Sequence, residues 1–180
     1  MSKLKIRIWP DPILKKRAEE IREVDGEIYE LSNNMIETMY TAKGIGLAAP
    51  QVGISKRLIV VDTDYPEGDK NPFILINPVI LEREGEEIME EGCLSLPGLR
   101  TEVKRAYKIL VKGYDINGRE IEIEAEGLKA RVIQHEIDHL DGKVFIDRVN
   151  KVRRELLKKR YKELLRENLG GKYESRVSNK

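Results

Sequence analysis

The chain holds only two histidines, His135 and His139, in the run Gln134-His135-Glu136-Ile137-Asp138-His139-Leu140. On a helix, residues four apart share a face, so both imidazoles can reach one ion. Glu136, beside the first, can reach a water on that ion and take its proton. This is the H-E-x-x-H pattern of hydrolytic metal sites. The alternative is two surface histidines flanking a helix-stabilising glutamate. The neighbouring isoleucines and leucine argue for a partly buried helix, where imidazoles without partners would be costly. Ligation is therefore the favoured reading.

A catalytic site of this kind needs a third protein ligand and one open position. The single cysteine, Cys93, stands in Glu91-Gly92-Cys93-Leu94-Ser95-Leu96-Pro97-Gly98. A lone cysteine is most often a small buried apolar residue. Beside an H-E-x-x-H with no third histidine it becomes the candidate ligand, since thiolate and imidazole together suit late first-row metals. The third segment is Gly44-Ile45-Gly46-Leu47-Ala48-Ala49-Pro50-Gln51-Val52-Gly53. It is neither a phosphate loop nor a dinucleotide fingerprint. As a glycine-rich stretch alone it would be a tight connection. Yet glutamine occurs only at Gln51 and Gln134, both inside motifs. A carboxamide can donate to a developing oxyanion, and the glycines allow a substrate backbone to come close.

The elements that must position these groups follow from periodicity and turn signals. Asp11-Pro12 reads as a cap and first position of a short helix. Asp25 caps a longer one, with Ile28, Leu31, Met35 and Met39 at helical spacing. Residues 51–126 read mostly as strands, including the apolar runs 58–61 and 73–76. The stretches 107–115 and 119–125 flank Asn117-Gly118, which predicts a type I′ hairpin. Leu128 to Leu140 returns to helical spacing, with Gly142 just beyond as its left-handed cap. A last helix is expected over 150–168, with Val152, Leu156, Leu157, Tyr161, Leu164 and Leu165 on one stripe. The order predicts an α+β fold: antiparallel sheets packed around a central metal-binding helix, with a C-terminal helix. One catalytic domain is expected over 1–168, followed by a flexible basic tail over 169–180.

With 180 residues, 40% of them apolar, the chain can build one core. No apolar run approaches the ~18 residues of a membrane span. The N-terminal residues lack the apolar region of a secretory signal. One cysteine allows no intramolecular disulfide. Together these predict a cytoplasmic protein. Net charge is +1 but segregated: residues 151–180 hold 11 Lys/Arg against 4 Asp/Glu, and residues 1–150 hold 22 against 28. A +7 tail on a −6 body could orient the protein toward a polyanion.

G-x-G-L-A-A-x-Q, E-G-C-L-S and Q-H-E-x-D-H-L, complete and in this order, resemble the peptide deformylase family, in its bacterial type with a helical C-terminus. The resemblance runs from the Asp11-Pro12 region to the C-terminal helix. It implies removal of the formyl group from N-formylmethionyl peptides. It also implies one divalent metal, Fe2+ with Zn2+, Ni2+ or Co2+ as alternatives, held by Cys93, His135 and His139. Glu136 would move the proton. Gln51 and the backbone N–H of Leu94 would stabilise the oxyanion. Ile45, Gly46 and Gly92 would line up the peptide, Leu128 and Val132 would wall the methionine pocket, and Arg100 would place a cation near the bound peptide. A ribosome contact through the basic C-terminal helix, a monomeric state and no membrane partner complete the expectation. A zinc peptidase would use the same H-E-x-x-H but a further His or Glu ligand, where the segment following His139 offers only Asp141 and Asp147 nearby. A closed structural metal module would need a fourth ligand that no second Cys or third His supplies.

Overall fold

A computed structural model describes residues 3–167 of the chain. Three α-helices, α1 (Gly26–Thr41), α2 (Gly127–Leu140) and α3 (Lys151–Glu167), accompany seven strands. The strands are β1 (Gly46–Ala48), β2 (Leu58–Val61), β3 (Phe73–Glu84), β4 (Glu87–Cys93), β5 (Leu96–Arg105), β6 (Lys108–Tyr114) and β7 (Glu120–Glu126). Five of them form an antiparallel sheet in the order β1-β2-β3-β6-β7, and β4 and β5 form a separate antiparallel hairpin. The expected α+β class with antiparallel sheets and a C-terminal helix is what is found.

The unbroken apolar run of β2 follows from its place in this sheet. Side chains alternate across a strand. Ile59 and Val61 face α2 and pack with Ala130, Ile133, Ile137 and Leu140. Leu58 and Val60 face α1 and pack with Ile28, Met35 and Met39. Both faces are covered, so no position in the strand can be polar. Each such side chain contributes roughly 1.5–3 kcal/mol by leaving water. Helix α1 starts where Asp25 accepts the Ile28 N–H, and Gly142 takes φ +74° just past α2, as expected of a left-handed cap. The short helix capped by Asp11 is a single 3-10 turn, Pro12–Lys15.

Two expectations are corrected. The 115–118 turn is not type I′, because Gly118 is at φ +76° while Asn117 is not at positive φ. The Asp115 carboxylate accepts the N–H groups of Asn117 and Arg119, and its carbonyl accepts that of Gly118. That capture favours an ordinary turn ending in a left-handed glycine. The stripe on α3 is also narrower than expected. Tyr161 is buried and Leu157, Leu164 and Leu165 pack with Leu96, Leu99, Val103 and Phe145. Val152 and Leu156 instead face solvent. The helix is pinned at Tyr161, whose hydroxyl donates to the Trp9 carbonyl at 2.7 Å. The expected tail over 169–180 lies outside the described residues, as does Asn168. Among the described residues, no helix is long and apolar enough to cross a membrane.

Candidate active site

Three elements distant in sequence meet at the site. The hairpin brings Cys93 at the end of β4, where the register with β5 shifts between Gly92 and Cys93. Helix α2 brings His135, Glu136 and His139. Strand β1 and the 3-10 turn Ala49–Val52 bring Gln51. The Cys93 thiol, His135 and His139 offer ligand atoms that all lie within 4.8 Å of one another. The Cys93 Sγ to His139 Nε2 distance is 3.4 Å.

The surrounding hydrogen bonds fix how each group points. The His135 Nδ1–H donates to Glu91 Oε1 at 2.9 Å, which leaves Nε2 as its ligating atom. The Gln51 Oε1 accepts the Ala48 N–H at 2.9 Å. A backbone N–H only donates, so the Gln51 NH2 must be turned the other way. It lies 3.2 Å from Ser95 Oγ and 3.6 Å from Cys93 Sγ. Close packing sets the distance between β1 and α2. A Cβ on Gly46 would sit 2.6 Å from Glu136 Oε2 and 2.7 Å from Val132 Cγ1.

The residues fit a divalent metal. Thiolate plus two imidazoles is a three-ligand set with a fourth position open. Two buried atoms beside it, Glu136 Oε1 and His139 Nδ1, have no hydrogen-bond partner among the described residues. An oxygen left bare in a buried site needs a ligand to offset its desolvation. Burial, together with the neighbouring His135, holds His139 well below its usual value, in the neutral form that ligates. Burial alone would lower His135 too, but its contacts with Cys93 and Glu91 outweigh this and raise it. Burial pushes the Glu136 carboxyl up to about 7, with His135 and Arg105 opposing. A carboxyl titrating near neutrality is suited to taking and returning a proton.

The centre opens into a cavity of about 450 Å³. Ile45, Gly46, Gln51, Gly92, Cys93, Leu94, Arg100, Leu128, Val132, His135 and Glu136 all line it. His139 lies deeper, 1% exposed. The fold thus gathers these residues around one cavity, whereas Gln134 bonds the Ala106 backbone outside its lining. Arg100 pairs with Glu90 at 2.5 Å, but both are well exposed, so the pair adds little stability. Asp141 is held by Arg57 and Arg17, and Asp147 caps the turn at Val144. Neither belongs to the Cys93–His135–His139 group, and among the described residues no peptidase-type ligand set is formed.

A buried ionic network behind the ligands was not read from the sequence. Glu91 accepts from Arg105 Nε at 2.6 Å, Arg105 Nη2 at 2.9 Å and Arg131 Nη1 at 2.5 Å, besides His135. Arg105 reaches on to Asp138 at 2.9 Å, which Arg148 also holds. Burial raises the Glu91 carboxyl, but the hydrogen bonds from His135 and Arg105 outweigh it and bring it down to about 2. Glu91 and Asp138 sit inside two of the motifs. Acidic residues next to ligands were the available signal.

The family profile described as Polypeptide deformylase matches residues 3–155. The peptide deformylase of Thermodesulfovibrio yellowstonii is 57% identical over 162 residues, covering 90% of this chain and 98% of the relative. That of Halothermothrix orenii is 52% identical over 157 residues, covering 87% and 100%. The crystal structure of a peptide deformylase from Legionella pneumophila superposes with a TM-score of 0.85 at 42% identity, covering 92% of this chain and 96% of that one. The Ehrlichia chaffeensis peptide deformylase in complex with actinonin gives 0.83 at 40% identity, covering 91% and 98%. With the fold, the ligand triad and the length of both chains in agreement, the protein belongs to the peptide deformylase family, the metal-dependent hydrolases that remove the formyl group from N-terminal formylmethionine.

Proposed function

We propose that the deformylase reaction is carried by Cys93, His135 and His139 as metal ligands, Glu136 as general base and acid, and Gln51 with the Leu94 N–H as oxyanion donors. The observation that carries this reading is the meeting of the three ligand atoms beside an unpartnered Glu136 oxygen at the floor of a cavity. When bound, a divalent ion supplies a Lewis acid that lowers the pKa of water and polarises the formyl oxygen. By resemblance that ion is Fe2+, and Zn2+, Ni2+ or Co2+ would fit the same donors.

The chain's own groups do the rest. Glu136 takes a proton from the attacking water and returns it to the leaving amine, so one water and one formyl amide give formate and a free N-terminus. The Gln51 amide, held by Ala48, and the Leu94 N–H donate to the oxygen as charge develops. Such a donor is typically worth ~3 kcal/mol of barrier. Ile45, Gly46 and Gly92 run beside the peptide in extended form. Leu128 and Val132 wall the methionine side chain, and Arg100 meets the peptide further along. Cys93→Ser is the test. It should weaken metal retention, and the wild-type thiol should alkylate slowly until the metal is stripped. Equal labelling of stripped and loaded protein would reject Cys93 as a ligand.

The protein would act as a cytoplasmic monomer on chains leaving the ribosome, contacting ribosomal RNA with the basic outer face of α3. Arg153, Lys159, Arg160 and Lys162 are exposed there, and long-range attraction to phosphate is salt-dependent. Because Tyr161 is buried, deleting α3 would open the core. Charge reversal at Arg153, Lys159 and Lys162 is the cleaner test. Turnover of a short formyl peptide should hold while ribosome binding falls. Unchanged ribosome affinity would reject the contact.

A further inference from the structure

The metal ligands are divided between two elements that do not share a sheet. Cys93 is on the β4–β5 hairpin, and His135 and His139 are on α2. The hairpin is not part of the five-stranded sheet. Among the described residues no backbone–backbone hydrogen bond joins it to α2. Its position against the helix rests on side chains.

Arg131 is the one that reaches furthest. It stands on α2 one turn before His135 and is 3% exposed. Its Nη1 donates to Glu91 Oε2 at 2.5 Å and to the Val103 carbonyl at 2.9 Å, and its Nη2 donates to the Glu87 carbonyl at 2.6 Å. One guanidinium therefore ties the helix to both strands of the hairpin and to the carboxylate that orients His135. Its forked geometry is what lets it hold three oxygens at once. Arg131 also lines the cavity with Leu128, Val132, Met89 and Gly92.

We propose that Arg131 is a positioning residue. It clamps the hairpin to α2, and so sets both the Cys93-to-histidine spacing and the width of the pocket between β4 and the helix. This rests on the ligand assignment above. The clamp acts on metal retention through Glu91 and the hairpin, and on substrate affinity through the β4 wall. It leaves Glu136 and Gln51, which sit on other contacts, in place.

The test compares wild type, Arg131→Met and Arg131→Lys, each loaded with Co2+. Partners behind a metal ligand typically alter metal affinity 10–100-fold. Arg131→Met should release Co2+ to a chelator at least about tenfold faster. Its visible absorption bands should shift, and KM for a formyl-Met peptide should rise more than kcat falls. Arg131→Lys keeps the charge but cannot hold three oxygens, and should lie between. Folded Arg131→Met with release rate, spectrum and KM all within twofold of wild type would overturn the proposal. If Arg131→Met does not fold, an Arg131→Lys protein indistinguishable from wild type overturns it equally. Failure of the ligand assignment itself would look different: wild-type protein would not take up one equivalent of Co2+.

Discussion

Replacing Glu91 by glutamine keeps the side-chain shape and removes one acceptor and one charge. Oε1 accepts from Arg105 and His135, and Oε2 accepts from Arg105 and Arg131. Whichever oxygen becomes NH2, two donors then face a donor. Arg105, 6% exposed, then keeps Asp138, while Arg131, 3% exposed, keeps only the Val103 and Glu87 carbonyls. Removing one partner of a buried ion pair typically costs ~3–5 kcal/mol. The lowered carboxyl gives a second measure. Held at about 2 in place of the usual 4.5, it contributes on the order of 3 kcal/mol at neutral pH. Because the folded value is the lower one, the contribution is complete above the unfolded carboxylate range and disappears as pH falls toward 2. The assay is urea unfolding of metal-free wild type and Glu91→Gln at pH 7 and again in acid. A loss of about 3 kcal/mol at pH 7, narrowing in acid, is expected, corresponding to roughly 6–12 °C in Tm for a chain of this size. Metal retention should fall as well. A loss below about 1 kcal/mol at pH 7, with retention unchanged, would refute the reasoning.

Three further perturbations test separate parts of the structure. Glu136→Gln should keep its metal and lose about 10²–10⁴-fold in turnover; near-normal turnover at full metal occupancy would remove Glu136 as the proton carrier. Gly46→Ala places a methyl 2.6 Å from Glu136 Oε2 and must displace that carboxylate, so kcat/KM should fall about 10²-fold with the fold retained; a loss under threefold would mean the carboxylate position is not critical. Asp62 accepts the hydroxyl of Tyr40 and the N–H groups of Asp64, Tyr65 and Asn71. Burial raises its carboxyl, but these bonds outweigh it and hold it below the usual value, so it stabilises the fold above the carboxylate range and ceases to as pH falls. Asp62→Asn should therefore lower Tm at pH 7 with a gap that closes in acid, and a gap independent of pH would count against this.

The ligand pair was legible in the sequence because its geometry is local. Four residues on a helix place His135 and His139 on one face in any fold. The rarity of glutamine and cysteine made Gln51 and Cys93 visible, and the two-sided burial of β2 was written in its unbroken Leu58-Ile59-Val60-Val61 run. Tertiary structure decided what depends on partners far along the chain. Arg105, Arg131 and Arg148 look like ordinary surface charges in a chain that is 36% charged. Only the folded hairpin brings Arg105 and Arg131 to Glu91, and Arg105 to Asp138, where their burial is compensated, while Arg148 meets Asp138 from the more exposed 3-10 turn after α2. On α3 the periodicity offered a wider apolar stripe than the body covers, and the contact through Trp9 and Tyr161 selected which part faces inward and left Val152 and Leu156 in water. At 115–118 a single side chain, Asp115, outweighed the dipeptide preference of Asn117-Gly118. Periodicity and spacing are properties of one segment. The compensation of a buried charge, the choice of a helix face and the capture of a turn each need a second group whose position no single segment encodes.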